Sequence, residues 1–460
     1  MPDKNDLFYT KKNPFDTMTD EEIAISNAYC EQYKDFLDKA KTEREAVTEA
    51  VRLAEGLGFL PMTRGMALVP GTKVYMPAAG KAIMLAVIGR RPLSQGVNIA
   101  AAHIDSPRLD LKQIPLYEDG EMAFFKTHYY GGIKKYQWVA LPLALHGIVI
   151  KANGEAVNVV IGEDENDPVF MITDLLPHLG KDQSKKLLGE AFTGENLNIL
   201  IGSRPVGDAK ETDRVKLAIM QLLNEKYGII EEDFISAELE AVPQMRARDL
   251  GFDRTMIGAY GHDDRSCAFA SLRALLDVGT PETTAVCVLS DKEEVGSDGV
   301  SGMQSAVFED FMEELCESAG VKLRECFSNS FCLSTDVCNA HDPNFPDVTE
   351  KNNAAKLNYG MGVLKFTGAG GKGGSSDASA EVVSKLRRVF AENNVAWQMT
   401  ELGKVDQGGG GTVAKFMANR NIPTIDAGVP VLSMHAPYEI VSKLDCYMTY
   451  KGIRAIYESK

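Results

Sequence analysis

Five short segments of this 460-residue chain set a histidine or carboxylate beside an apolar run. They are His103-Ile104-Asp105, Gly261-His262-Asp263-Asp264-Arg265, Ser290-Asp291-Lys292-Glu293-Glu294-Val295-Gly296, Ser334-Thr335-Asp336 and Ser433-Met434-His435. Nitrogen and oxygen donors without thiolates suit Zn²⁺, Mn²⁺ or Co²⁺. Two histidines and three carboxylates, one of them shared, make a two-metal site. The adjacent Glu293 and Glu294 suggest a division of labour. One coordinates metal, and the other, held nearby but unbound, takes the proton from water activated at the metals.

Singly, each segment has a plainer explanation. His262 beside Asp263-Asp264 reads as a helix N-cap cluster, since Asp is a preferred cap. Glu293-Glu294 reads as an exposed loop, and His103 and His435 as satisfied core histidines. Metal chemistry is favoured because all five fall where strands of one sheet are predicted to end, and open α/β sheets bind ligands outside the carboxyl ends of their strands.

The elements that must position these residues alternate along the chain. Thr19-x-x-Glu22 and Thr42-x-x-Glu45 are capping-box patterns that open two helices, the second running to about Gly56 or Gly58. Strand-like apolar runs cover 73–76, 82–88 and 98–102, the last leading into His103. Residues 265–278 predict a helix closed by Gly279, 284–290 a fully buried strand, and 302–320 contain a further helix. Short strands are expected at 331–334 and 395–402, helices at 376–393 and 412–419, and the final strand at 424–427. Such alternation predicts an α/β sheet with helices on both faces. From about Gln113 to Glu238 the texture changes to a Gly/Asp/Asn-punctuated β pattern with one helix near 214–227. It reads as a domain, 113–238, inserted into a discontinuous catalytic domain, 1–112 and 239–460.

Asp plus Glu outnumber Lys plus Arg by 65 to 49, for a net charge of −16. A chain this acidic is a poor partner for a phosphate backbone. The apolar stretch 138–150 is too short to span a bilayer, and the polar start lacks the apolar region of a secretory signal. None of the eight cysteines forms a C-x-x-C pair, and several sit in apolar runs. They read as reduced, buried thiols of a cytoplasmic protein.

Ala102-His103-Ile104-Asp105-Ser106-Pro107-Arg108-Leu109, Asp291-Lys292-Glu293-Glu294-Val295-Gly296-Ser297, the Asp336 segment and Met434-His435-Ala436 resemble the motifs of the aspartyl aminopeptidase and vacuolar aminopeptidase I family. The likeness covers nearly the whole chain. It implies a zinc-peptidase-like catalytic domain, with a central mixed sheet flanked by helices. It also implies an inserted β-rich domain used for dimer contacts, and a homo-oligomer of twelve subunits. Two divalent metal ions, zinc foremost with manganese or cobalt as alternatives, are implied on His103, Asp263, Glu294, Asp336 and His435. Asp263 is their bridge, chosen over Asp264 because family members can carry Asn at the second position. Glu293 resembles the general base, and Asp105 the carboxylate that orients His103.

Pro177-His178-Leu179 resembles a family motif near a histidine that reaches a neighbouring subunit's active site. The second histidine expected there is Asp182 in this chain, which leaves His178 as the candidate. Lys365 matches a family lysine suited to meet an acidic side chain. Gly368 to Gly374 lacks phosphate-loop spacing because Gly373 follows Lys372, and it reads as a flexible loop near the substrate. Gln407-Gly408-Gly409-Gly410-Gly411-Thr412 matches a family segment lining the active site.

The expected activity is hydrolysis of the N-terminal residue of peptides by water activated at the two metals. Two other readings are amidohydrolysis of N-acylated amino acids and a non-catalytic binding or cargo role on the same fold. A requirement for a free N-terminal amine separates the first two. The intact Glu293 speaks against the third. The preferred N-terminal residue, acidic or neutral, is not set by these motifs.

Overall fold

The computed structural model describes residues 7–460. By backbone contacts the described residues divide into two compact units, 7–105 with 247–434 and 439–460, and 106–246 with 435–438.

The first unit carries helices α1 (Asp20–Lys39), α2 (Glu43–Glu55), α3 (His262–Asp277), α4 (Val307–Ser318), α5 (Leu323–Asn329), α6 (Ala380–Glu392), α7 (Ala414–Asn419) and α8 (Lys443–Glu458). Both expected capping boxes form. The Thr19 and Thr42 hydroxyls accept the Glu22 and Glu45 amides at 3.2 and 3.3 Å, and each glutamate accepts the threonine amide in return.

Its main sheet has nine strands: β1 (Leu60–Pro61), β2 (Lys73–Ala78), β3 (Ala82–Val87), β4 (Asn98–His103), β5 (Ala285–Ser290), β6 (Phe331–Ser334), β7 (Met361–Leu364), β8 (Trp397–Met399) and β9 (Thr424–Gly428). They lie in the order β1-β2-β3-β5-β4-β6-β9-β7-β8. The four central strands, β5, β4, β6 and β9, are mutually parallel, while β3 and β7 join them antiparallel. Strands β3, β4 and β5 are buried along their whole length, so they read as continuous apolar runs. Alternate residues still sort to opposite faces. Ala100, Ala102, Cys287 and Leu289 join a core with Tyr33, Phe36, Phe269 and Tyr457 of α1, α3 and α8. Ile99, Ala101, Val286 and Val288 pack with Phe308, Phe311, Phe327 and Met417 of α4, α5 and α7. Helices therefore cover both faces.

A second sheet of this unit has five short strands, in the order Arg248–Leu250, Met256–Ala259, Glu439–Ser442, Pro430–Leu432, Cys338–Asn339. Two of them and α8 follow β9, so 424–427 is not the final strand as expected. The two late strands have only three and four residues, too few for a periodic signal. Helix α8 starts behind Ser442, whose side chain accepts the Asp445 amide as an N-cap. Strand β8 is shorter than the expected 395–402, and α6 begins at Ala380 behind its cap Ser379 rather than at 376.

The second unit is built on a seven-stranded, wholly antiparallel sheet. Its order is Ala156–Ile161, Leu143–Ile150, Ala237–Pro243, Arg108–Asp119, Met122–Tyr130, Ile199–Gly202, Met171–Ile172. The stretch 113–238 falls within it. The helix Arg214–Tyr227 starts on Glu118, whose carboxylate accepts the amides of Val215 and Lys216 at 2.8 and 2.9 Å. That supplies the acceptor Asp213 does not provide.

Candidate metal centre

Strand register decides which residues converge. His103, the last residue of β4, pairs with Ser290 of β5, and Ala101 pairs with Ser334 of β6. The chain leaves β5 into Asp291 and β6 into Asp336 at the same, carboxyl-terminal end of these parallel strands. Asp263 arrives from the first turn of α3, where Asp263 and Asp264 are non-helical and share a cis peptide bond. The Asp263 amide donates to Glu439 Oε2 at 3.0 Å, and Glu439 itself is placed by pairing with Ala259.

These strand ends, the turn after β5 and the first turn of α3 together put three acids around one imidazole. His103 Nε2 lies 3.3 Å from Asp263 Oδ1, 3.8 Å from Asp336 Oδ1 and 3.9 Å from Glu293 Oε2. One donor atom each from His103, Asp263 and Asp336 fall within 4.8 Å of one another, as do carboxylate oxygens of Asp263 and Glu294. On its other side, His103 Nδ1 is 3.0 Å from the Asp105 carbonyl and 3.3 Å from its carboxylate. A histidine held this way at Nδ1 presents Nε2 as the ligand atom.

Electrostatics fit a cation. Burial raises the Asp336 carboxyl well above its ordinary range, and the neighbouring Asp264 and Glu293 add to it. Burial opposes charge on His103, but Asp105, Asp263, Asp336 and Glu293 outweigh it and raise its pKa. Buried like charges of this density need compensation. Without metal a proton supplies it, and a divalent cation held by the same oxygen and nitrogen atoms does so better. The donor set therefore suits zinc-type chemistry.

A family model for aminopeptidase I zinc metalloproteases (M18) matches residues 36–457. The chain is 50% identical to a probable M18 family aminopeptidase 1 of Clostridium acetobutylicum, over 98% of this chain and 99% of the relative. The chain belongs to the M18 aminopeptidase family. The M18 aminopeptidase structure from Thermotoga maritima superposes with a TM-score of 0.94 at 44% identity, covering 98% of this chain and all of that one. The S. cerevisiae mApe1 dodecamer shares the fold, with a TM-score of 0.77 at 20% identity over 95% of this chain and 97% of that one. Membership in M18 makes this chain a metallo-aminopeptidase, a hydrolase of peptide bonds.

Glu293 and Glu294 share a short 3-10 turn, Glu293–Val295, and both are partly buried. His435 lies in the loop joining Pro430–Leu432 to Glu439–Ser442, in a left-handed conformation with Nδ1 2.8 Å from the Gly132 carbonyl. His178 is exposed on a turn of the second unit, flanked by the exposed Leu176 and Leu179. Lys365 directly follows β7, with Nζ 2.5 Å from Asp377 Oδ1, so an acid of this chain already meets it. The loop at 407–411 lies against the other glycine-rich loop: Gly410 N donates to Thr367 O at 2.9 Å, and a Cβ at Gly409 lies 2.4 Å from the Ala369 backbone.

Two further residues position the site, one with no signal in the sequence and one whose motif does not show this role. Glu439 has no motif of its own, and only strand pairing brings it to Asp263. Asp264 is wholly buried, and its Oδ2 accepts the His103 amide at 3.4 Å. All eight cysteines are free and buried, and no described helix is long and apolar enough to cross a membrane.

Proposed function

We propose that His103, Asp263, Glu294, Asp336 and His435 hold two divalent ions, zinc foremost, with Asp263 shared, and that Glu293 is the general base. The observation carrying this reading is the crowding of Asp263, Asp336 and Glu293 around His103 Nε2, at 3.3, 3.8 and 3.9 Å. Bound by these residues, a divalent metal would supply Lewis-acid chemistry, acidifying water and polarising the scissile carbonyl. Asp105 orients His103. Glu293, on a loop rather than a strand, takes the proton from the attacking water and returns it to the leaving amine. The acidic lining attracts the protonated N-terminus of a peptide, which selects removal of the first residue.

The second unit, with Leu175, Leu176, Leu179, Leu187 and Leu188 at least half exposed, carries the contacts of a homo-oligomer. Twelve subunits, as in the mApe1 dodecamer, are the expected number, with His178 the candidate to approach a neighbouring active site. Light scattering of the full chain reads the mass, and a clean monomer contradicts the assembly. Eight buried free thiols suit a reducing compartment, the cytoplasm.

The test is turnover of an aminoacyl-nitroanilide panel beside N-acetylated counterparts, before and after chelation. Free-amine substrates are cleaved, chelation abolishes cleavage, and Zn²⁺, Mn²⁺ or Co²⁺ restores it. Full activity after exhaustive metal removal contradicts the reading. Preference for the acetylated series supports the amidohydrolase instead.

A further inference from the structure

The loop after β5 carries both glutamates, and their amides are tied to the Asp105 carboxylate. Its geometry is set further back. Asp291 is completely buried, and ten residues on, Ser301 is 3% exposed. Two hydrogen bonds close this loop. Ser301 Oγ donates to Asp291 Oδ2 at 2.6 Å, and the Asp291 amide donates to the Ser301 carbonyl at 3.2 Å. Asp291 Oδ1 has no donor among the described residues, so Ser301 is the side chain that holds this carboxylate.

Inside the clamp the chain is tightly folded. Lys292 and Ser297 both adopt left-handed φ, at 70° and 61°. The Gly296 amide donates to the Glu293 carbonyl at 2.9 Å and the Ser297 amide to the Lys292 carbonyl at 2.6 Å. A Cβ on Gly302 lies 2.2 Å from the Ser297 carbonyl oxygen, so the returning strand packs directly on the turn. Left-handed non-glycine residues persist only where their surroundings over-determine them. The Asp291–Ser301 pair sits at the neck where that constraint begins.

We propose that Asp291 and Ser301 are positioning residues for Glu293: their hydrogen bond closes the loop and fixes where the base carboxylate sits. This rests on the reading of Glu293 as the base. A general base works only within hydrogen-bond reach of the proton it takes, and a displacement of about 1 Å can cost about 10²-fold. A merely structural bond lowers stability without moving the chemical step.

The test compares Ser301→Ala, Asp291→Ala and Asp291→Asn in the metal-loaded enzyme, reading kcat, KM, metal content and amide hydrogen exchange over 292–297. Ser301→Ala lowers kcat by about tenfold, leaves KM within about twofold, keeps its metal and speeds exchange at those amides. Asp291→Ala behaves alike. Asp291→Asn retains an oxygen for Ser301 Oγ to donate to and recovers most of the loss. If Ser301→Ala lowers only the melting temperature, with kcat and exchange unchanged, the proposal is overturned, whether or not Asp291→Ala folds. Glu293→Gln, assayed beside them, separates the two ideas. If it stays active the base assignment fails, and loop exchange in Ser301→Ala still judges the clamp.

Discussion

Asp105 accepts the backbone N–H of Glu293 at 3.2 Å. The same carboxylate accepts the Glu294 amide at 3.2 Å and lies 3.3 Å from His103 Nδ1. One wholly buried side chain thus joins the end of β4 to the loop after β5, tying the imidazole to the turn that bears both glutamates.

Replacing it loosens both. Asp105→Ala is expected to lower metal affinity by about 10- to 100-fold and, at saturating metal, to lower kcat by a further 10²-fold or so. Calorimetric titration of the metal-free protein and turnover at saturating metal measure the two effects. Unchanged affinity with turnover within a few-fold of wild type removes Asp105 from the account.

Packing behind the site has equal leverage. A Cβ at Gly428, on β9, lies 2.0 Å from the Asp336 carbonyl oxygen and 2.7 Å from Cys267 Sγ. Gly428→Ala must therefore push the Asp336 backbone outward. It is expected to destabilise by about 1–3 kcal/mol and to weaken metal binding as well. Urea unfolding with metal titration checks both. Loss of stability with full metal affinity shows that Asp336 tolerates the shift.

Away from the site, Asp249 joins α1 to α8. Its carboxylate meets Lys34 at 2.8 Å, Lys443 at 2.9 Å and Arg254 at 2.9 Å, with its side chain 12% exposed. Burial alone raises its pKa, but the three cations outweigh that and hold it well below the usual carboxylate range. A depressed acid stabilises the fold above its unfolded value of about 3.9, and that contribution is lost as pH falls through the folded value. Asp249→Ala should cost about 1–3 kcal/mol near pH 7, with the gap to wild type narrowing below about pH 4. Thermal unfolding of both proteins across pH tests it, and a gap that widens with acid contradicts the assignment.

Much of this was legible in residues 98–103, 284–290 and 331–334, because strands buried on both faces leave uninterrupted apolar runs and their ends carry the acids. Both capping boxes were legible from four residues each. The short strands after β9 were not, since three or four residues show no period. Glu439 was invisible for a different reason. Its role depends on register with Ala259, a long-range pairing with no local signature. Asp291 sits inside a motif without a signal of its own, and its partner Ser301 becomes visible only when the loop closes. The Lys365–Asp377 contact also needed the fold, because a lysine's partner twelve residues away depends on the path of the loop between them.

The most direct test separates the two glutamates by metal content and turnover measured on the same samples. Glu293→Gln keeps the shape but cannot accept a proton. It should retain both metals and bind peptide while kcat falls by about 10²- to 10⁴-fold. Glu294→Ala should lose metal along with activity. If Glu293→Gln loses metal while Glu294→Ala keeps it, the roles are reversed, and if Glu293→Gln turns over within a few-fold of wild type, Glu293 is not the base.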